Sequence, residues 1–307
     1  MNPAYIEFFT AFSSLVAKSR NLSLNDSRAV STSFFTENTI KEPIHKIINK
    51  SIIGPDGNQI PLRIYIPQDG KAVPVLLFFH GGGWVFGSIE DSDDICRHIA
   101  NSTKCIVISV GYRLAPENPF PKGLDDCYAA TKWVTENAMT FGGDPTRVAV
   151  SGESAGANLA AAVAMMARDK AELTLKLQLL LYPVTTNEMD AGMYAKSLDQ
   201  TFITFDAMKI FWRMYLEKAE DGDNPYASPL KARNLENLPP AFIVTAEFDP
   251  LHNEAEAYAK RLKEFNVPVT CKRYLGAVHS FLSLPVKELP ERKEAFDDIQ
   301  RTMKNVM

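Results

Sequence analysis

Apolar residues change their spacing along this chain, and the changes mark out its elements. Tyr5, Ile6, Phe9, Phe12, Leu15 and Val16 recur at helical intervals, which predicts an opening amphipathic helix. From about residue 46 the rhythm shortens. Residues 46–53 and 60–67 flank the turn formers Gly54-Pro55-Asp56-Gly57 and read as a β-hairpin. Apolar runs follow at 73–79, 105–110, 147–150, 175–182, 241–245 and 269–274. Several are unbroken rather than alternating, as expected of strands buried on both faces of a mostly parallel sheet. Between them lie helical stretches at about 90–102, 121–140, 155–170, 252–265 and 287–305. The alternation predicts an α/β architecture with helices on both faces of the sheet.

Two segments break the rhythm: 1–45, and 187–222 with its aromatic-rich TFITFDAMKIFWRMYL. Both are expected to lie as a cap over the edge where the strands end. The organisation predicted is an N-terminal cap segment (1–45), a first part of the core (46–186), a cap insertion (187–222) and a second part of the core (223–307).

Composition narrows the function. The 307 residues are 46% hydrophobic, enough for one substantial core. Lysines and arginines number 33 against 37 acids, and no basic cluster stands out, which excludes a nucleic-acid binder. No basic residue precedes Lys18, so a secretory signal is not expected, and no apolar run is long enough for stable membrane insertion. Packing on its own protein is the expectation for the first helix, over a membrane-surface role. Cys96, Cys105, Cys127 and Cys271 are scattered without a C-x-x-C pair, and sequons at Asn21, Asn49 and Asn101 carry little weight without an export signal. A reducing cytoplasm is the expected setting.

The chemistry is concentrated in three places. GESAG at 152–156 matches G-x-S-x-G, following the strand RVAVS and preceding the helix former-rich ANLAAAVAMMARD. That context identifies a nucleophile elbow with Ser154 at its apex, where glycines leave room for a sharp turn and the helix amino end favours negative charge. HGGGW at 80–84 follows the strand VPVLLFF. Consecutive glycines let backbone N–H groups approach a substrate oxyanion, so Gly82 and Gly83 are the expected donors, joined by the N–H of Ala155. A phosphate cradle fails on spacing, since Phe86 stands where G-x-G-x-x-G needs glycine. His80 is expected to anchor the loop rather than to catalyse.

In α/β-hydrolases the triad runs serine, acid, histidine along the chain. His45, His80 and His98 precede Ser154, which leaves His252 and His279. His252 sits at an expected helix start. His279 follows the last strand in the short loop YLGAVHSF and is the expected base. Asp249 ends the strand AFIVTAEFD ahead of Pro250. DPLHNE also resembles a helix opening, so an N-cap is the competing role; placement and order favour the catalytic one.

HGGGW, GYRLAPE at 111–117, GESAG, YASPL at 226–230, TAEFDPL at 245–251 and the His279 loop together resemble the hormone-sensitive-lipase-like esterases, the bacterial group called family IV. The match runs from about residue 46 to the carboxyl end. The resemblance implies an eight-stranded α/β-hydrolase core, a helical cap, a small-molecule ester substrate of short or medium acyl length, hydrolysis without metal or organic cofactor, and a homodimer, for which no motif speaks. Gly111 stands where the group usually has aspartate, and Ser280 where glycine often follows the base.

Trp84 beside the glycines, with Phe202, Phe205 and Phe211 of the insertion, is expected to contact substrate, and Phe8, Phe9, Phe12, Phe34 and Phe35 add a second aromatic group. Three rivals remain. Ser228-Pro229-Leu230-Lys231 fits the S-x-x-K of Ser-Lys hydrolases, although no S-D-N or K-T-G accompanies it. A ligand receptor of the same fold would be expected to have lost a triad member. A deacetylase or amidase would use the same acyl-enzyme steps.

Overall fold

The computed structural model describes residues 3–19, 21–37, 39, 41–70, 72–196, 203–286 and 289–307. One eight-stranded sheet organises it, in the order β1-β2-β4-β3-β5-β6-β7-β8. The antiparallel hairpin β1 (Lys46–Ile53) and β2 (Gln59–Ile66) joins β4 (Ile106–Val110) antiparallel at one side. The others run parallel: β3 (Val73–Phe79), β5 (Gly143–Glu153), β6 (Gln178–Leu181), β7 (Ala241–Phe248) and β8 (Val269–Val278). The α/β expectation holds, with the mostly parallel sheet and two faces of buried side chains.

Each face is covered by helices because successive side chains of a buried strand point to opposite sides. On one side Leu77, Phe79, Val148, Val150 and Leu180 meet α4 (Lys122–Asn137), α5 (Ala155–Lys170) and α8 (His252–Glu264). On the other, Leu76, Phe78, Ala149, Leu179 and Phe242 meet α3 (Asp93–Thr103) and α9 (Pro290–Val306). α5 is buried along nearly its whole length. Its run of alanines lets it lie close to the sheet while still favouring helix.

α1 (Pro3–Ser19) and α2 (Leu24–Glu37) precede the sheet, and α6 (Ala191–Lys196) and α7 (Phe205–Tyr215) stand between β6 and β7. α1 packs on its own protein: Tyr5, Phe8 and Phe9 are buried, and the Tyr5 hydroxyl donates to Glu291 Oε1 of α9 at 2.6 Å. Phe8 and Phe12 meet Phe34 and Phe35 of α2 at ring separations of 5.8–6.3 Å. α2 is docked by Arg28, which donates to the carbonyls of Val85 (2.8 Å) and Ala115 (2.7 Å) and pairs with Glu117. No helix among the described residues is long and apolar enough to cross a membrane.

Candidate active site

Strand register places the chemistry. In a parallel sheet the carboxyl ends of neighbouring strands open on one edge, where ligands collect. Phe79 of β3 pairs with Gly152 of β5, so the loop after β3 begins beside the turn after β5. Phe248 of β7 pairs with Val278 of β8, so Asp249 and His279 leave the sheet side by side.

Ser154 sits between β5 and α5 with φ 52° and ψ −118°, a sparsely populated conformation costing about 1–3 kcal/mol. Its surroundings hold it there. Its N–H donates to the Leu181 carbonyl at 2.9 Å, and its carbonyl accepts from Asn158 at 3.1 Å. The close approach explains the motif's last glycine, because a Cβ at Gly156 would stand 1.9 Å from the Phe79 carbonyl oxygen.

Across the loop after β3, Gly82 adopts φ 106°, and its carbonyl accepts from Val85 (3.1 Å) and Phe86 (2.8 Å). The tight turn leaves the N–H groups of Gly82 and Gly83 without a hydrogen-bond acceptor among the described residues. The loop's base is fixed by His80, whose ring stacks on Tyr112 at 4.2 Å while Nδ1 lies 2.8 Å from the Gly81 carbonyl. Burial holds the His80 pKa below the ordinary histidine value, which suits an anchor.

His279 and Asp249 are both buried, and His279 Nδ1 lies 2.7 Å from Asp249 Oδ2. Asp249 Oδ1 accepts from the Leu251 N–H at 2.8 Å, so the carboxylate is held at both oxygens. Asp249 is not the N-cap weighed as its competing role, since Leu251 holds that place without a side-chain cap; one carboxylate oxygen closes a turn on Leu251 and the other meets the imidazole. His252 sits at the start of α8, with Nδ1 2.6 Å from the Asp249 carbonyl.

The loop after His279 is clamped. Arg292 of α9 donates to the carbonyls of Phe281 (2.8 Å), Val286 (2.7 Å) and Leu284. From the opposite side Glu153 Oε2 accepts from Ser283 Oγ at 2.6 Å and from the Tyr182 hydroxyl at 3.0 Å. The Tyr182 ring meets His279 edge-on, 5.0 Å between centroids. Ser280 has φ 62°, the left-handed region that glycine enters most easily, so glycine would fit this place without strain. Gly111 donates its N–H to the Pro61 carbonyl at 2.9 Å, tying the end of β4 to β2.

Ser154, His279, Gly82 and Gly83 face one cavity of about 620 Å³. Its outer wall comes from both segments that break the sequence rhythm: Phe12, Leu15 and Phe35 on one side, Ile203, Ala207 and Phe211 on the other. Phe211 lies against Gly83, where a Cβ would stand 2.6 Å from its ring. Two expected contacts fall elsewhere. Trp84 turns away from the cavity, with φ 61°, and is buried against Tyr215, stacked at 4.1 Å and 3°. Phe205 packs edge-on against Tyr194 at 5.5 Å. Phe202 lies outside the described residues. The S-x-x-K string is also occupied otherwise: Ser228 Oγ accepts from the Asn187 N–H, and the Lys231 ammonium pairs with Asp223 (2.6 Å) and Glu188 (3.0 Å).

Behind Asp249, burial and the nearby Asp249 charge raise the Glu254 pKa to about 8, against the opposing pull of N–H donors from Thr185 (2.6 Å) and Thr186 (3.4 Å). The folded pKa lies above the unfolded value of about 4.3. Glu254 therefore contributes stability that is full below the unfolded value and is lost as pH rises through about 8. Urea midpoints measured from pH 5 to pH 9 should fall less steeply in Glu254→Gln than in the wild type; parallel curves would refute the assignment.

The family model for the alpha/beta hydrolase fold matches residues 76–283. The chain is 38% identical over 241 residues to the carboxylesterase NlhH of Mycobacterium tuberculosis, covering 77% of this chain and 76% of that one. It is 41% identical over 228 residues to an arylesterase of Saccharolobus solfataricus, covering 74% of each. Among solved structures it resembles the hyperthermophilic esterase of the archaeon Pyrobaculum calidifontis, with a TM-score of 0.89, 38% identity and 97% of each chain covered. The chain is a carboxylic ester hydrolase, and it belongs to the hormone-sensitive-lipase-like carboxylesterases of the α/β-hydrolase superfamily.

Proposed function

We propose that this protein is a serine carboxylesterase that cleaves short- to medium-chain acyl esters through an acyl-enzyme on Ser154. The observation that carries this reading is the buried 2.7 Å contact of His279 with Asp249, beside the cavity into which Ser154 and the free N–H groups of Gly82 and Gly83 open. His279 Nε2 takes the Ser154 proton as the oxygen attacks the ester carbonyl. The N–H groups of Gly82, Gly83 and Ala155 receive the oxyanion at the amino end of α5, where the helix dipole adds to them. His279 returns its proton to the leaving alcohol and then activates water, while Asp249 fixes the imidazole tautomer and balances its charge. An organophosphate should add one covalent mass, on Ser154. A label on Ser228 or on any other serine would overturn the assignment.

In this reading 1–45 and 187–222 form the cap. Its aromatic wall supports an apolar acyl site that excludes water from the acyl-enzyme. p-Nitrophenyl butyrate or hexanoate should be cleaved faster than the palmitate, because helices enclose the outer side of the cavity. Deleting residues 1–35 removes Arg28 from the loop after β3 as well as Phe12 and Phe35 from the cavity wall. The shortened protein should aggregate more readily and lose most of its discrimination between acyl lengths; unchanged preference would refute the cap. All four cysteines are free, which fits a reducing cytoplasm as the working compartment.

A further inference from the structure

The proposed triad has a geometric difficulty that its three members do not solve. Ser154 follows β5, whereas His279 follows β8, and β6 and β7 lie between them. Three strand spacings of about 4.8 Å put the two chain exits roughly 14 Å apart, yet a general base works within about 3 Å of the proton it takes. The loop after β8 therefore has to lean back across two strands and stay there.

Glu153 is the residue next to the nucleophile, and it is 7% exposed. A carboxylate buried at the end of a strand is costly unless donors surround it. Its Oε2 has two: Ser283 Oγ at 2.6 Å, from the loop that carries His279, and the Tyr182 hydroxyl at 3.0 Å, from the residue after β6. The same Tyr182 ring supports the His279 imidazole on its edge. The Glu153 side chain also backs the loop after β3, since a Cβ on Gly81 would stand 3.1 Å from its Cγ. One buried carboxylate thus touches three of the pieces that must be brought together: the nucleophile strand, the base loop and the oxyanion loop. Burial keeps its proton affinity above the ordinary glutamate value, and the two hydroxyl donors oppose that rise.

We propose that Glu153 is a positioning residue for His279, its carboxylate tying the base loop to the nucleophile strand through Ser283. This rests on the triad reading above. The Tyr182 contact sets the ring's lean, and Arg292 closes the loop from the opposite side. Glu153 itself exchanges no proton with the substrate; it acts only through where it holds the imidazole.

Ser283→Ala removes one hydroxyl from the base loop and leaves the carboxylate in place, so it tests the tie with little risk to folding. Steady-state hydrolysis of p-nitrophenyl butyrate should show kcat lowered about 10- to 100-fold with KM within twofold, since misplacing a catalytic group by about 1 Å costs on that order. Glu153→Ala should lower kcat at least as much. The double variant should be no worse than Glu153→Ala alone, because both changes cut the same contact. Glu153→Gln keeps an acceptor oxygen and should retain kcat within about fivefold. A purely structural role predicts something different: a lowered unfolding midpoint, with kcat of the folded fraction unchanged. That result, additive losses in the double variant, or a Ser283→Ala enzyme with kcat within twofold of wild type, overturns the proposal. Organophosphate labelling of Ser154 in the same samples separates this failure from a failure of the triad itself. A labelled Ser154 with an indifferent Ser283→Ala would remove the tie and keep the nucleophile.

Discussion

Ser154→Ala should lower kcat for p-nitrophenyl butyrate by about six orders of magnitude, the loss seen when a nucleophile that works as one unit with its base is removed. The reason lies in the turn. No other hydroxyl in the cavity stands at the junction of β5 and α5, where the strained backbone aims an oxygen at the amino end of a helix. The remaining hydroxyls of the cavity wall lack that setting: Ser19 ends α1, Ser27 and Ser31 belong to α2, Thr204 caps α7, and Ser280 and Ser283 lie on the base loop. What survives should be the contribution of the N–H groups of Gly82, Gly83 and Ala155 with substrate binding, on the order of a thousandfold over water. Competitive inhibition by a substrate analogue should change little, because the Ser154 hydroxyl is the one group the substitution takes from the cavity wall. Activity within a hundredfold of wild type in carefully purified variant would mean that another group makes the acyl bond.

Asp249→Asn should fold normally and turn over about ten-thousandfold more slowly. The asparagine oxygen and nitrogen fill the same space, and the Leu251 N–H at 2.8 Å still finds an acceptor. That bond selects the amide orientation. With the oxygen on Leu251, the NH₂ group faces His279 Nδ1, the atom now 2.7 Å from Asp249 Oδ2. A donor there favours the imidazole tautomer with its proton on Nε2, the wrong side for taking one from Ser154. The developing imidazolium also loses its buried counter-charge. Circular dichroism and the unfolding midpoint should match wild type while kcat collapses. Near-normal turnover would transfer the acid role to another carboxylate, with Glu153 the candidate by its interaction with the His279 charge.

The parts of the molecule that were legible in the sequence are those whose cause is local. β3 and α5 have the bounds their patterns predict, because a continuous apolar run and a run of alanines are each decided within their own span. β6 is shorter than its apolar run of 175–182: Leu175 and Leu177 are buried, but only Gln178–Leu181 form the strand. Hydrophobicity reports burial, and it does not say where a ladder ends. The pairing of Asp249 with His279 was legible from chain order, since the order reflects which strand ends are neighbours. Trp84 misled because an aromatic beside a glycine run is the same signal whether the ring faces the cavity or the core; its positive φ decides, and φ is not written in the pattern. Glu153 and Tyr182 were missed because their partners lie far along the chain, and Arg292 because its partners are backbone carbonyls of an irregular loop, which no side-chain pattern reports. For Glu153 the signal available was its place inside GESAG, directly before the expected nucleophile.

The grip of Arg292 on the base loop has a consequence for how the enzyme is made. A ribosome delivers the chain from the amino end at about 5–20 residues per second, and earlier parts begin to fold while later ones are still being joined. The nucleophile turn, the oxyanion loop and Asp249 are all complete before α9 has been translated. His279 too has been translated by then, but the carbonyls of Phe281, Leu284 and Val286 still await the guanidinium that fixes them. If the proposed triad carries the reaction, esterase activity should appear only once α9 has docked. A chain released before α9 would carry Ser154 and His279 without the Arg292 contacts on the loop after His279, and is expected to be a poor hydrolase that spares the esters around it.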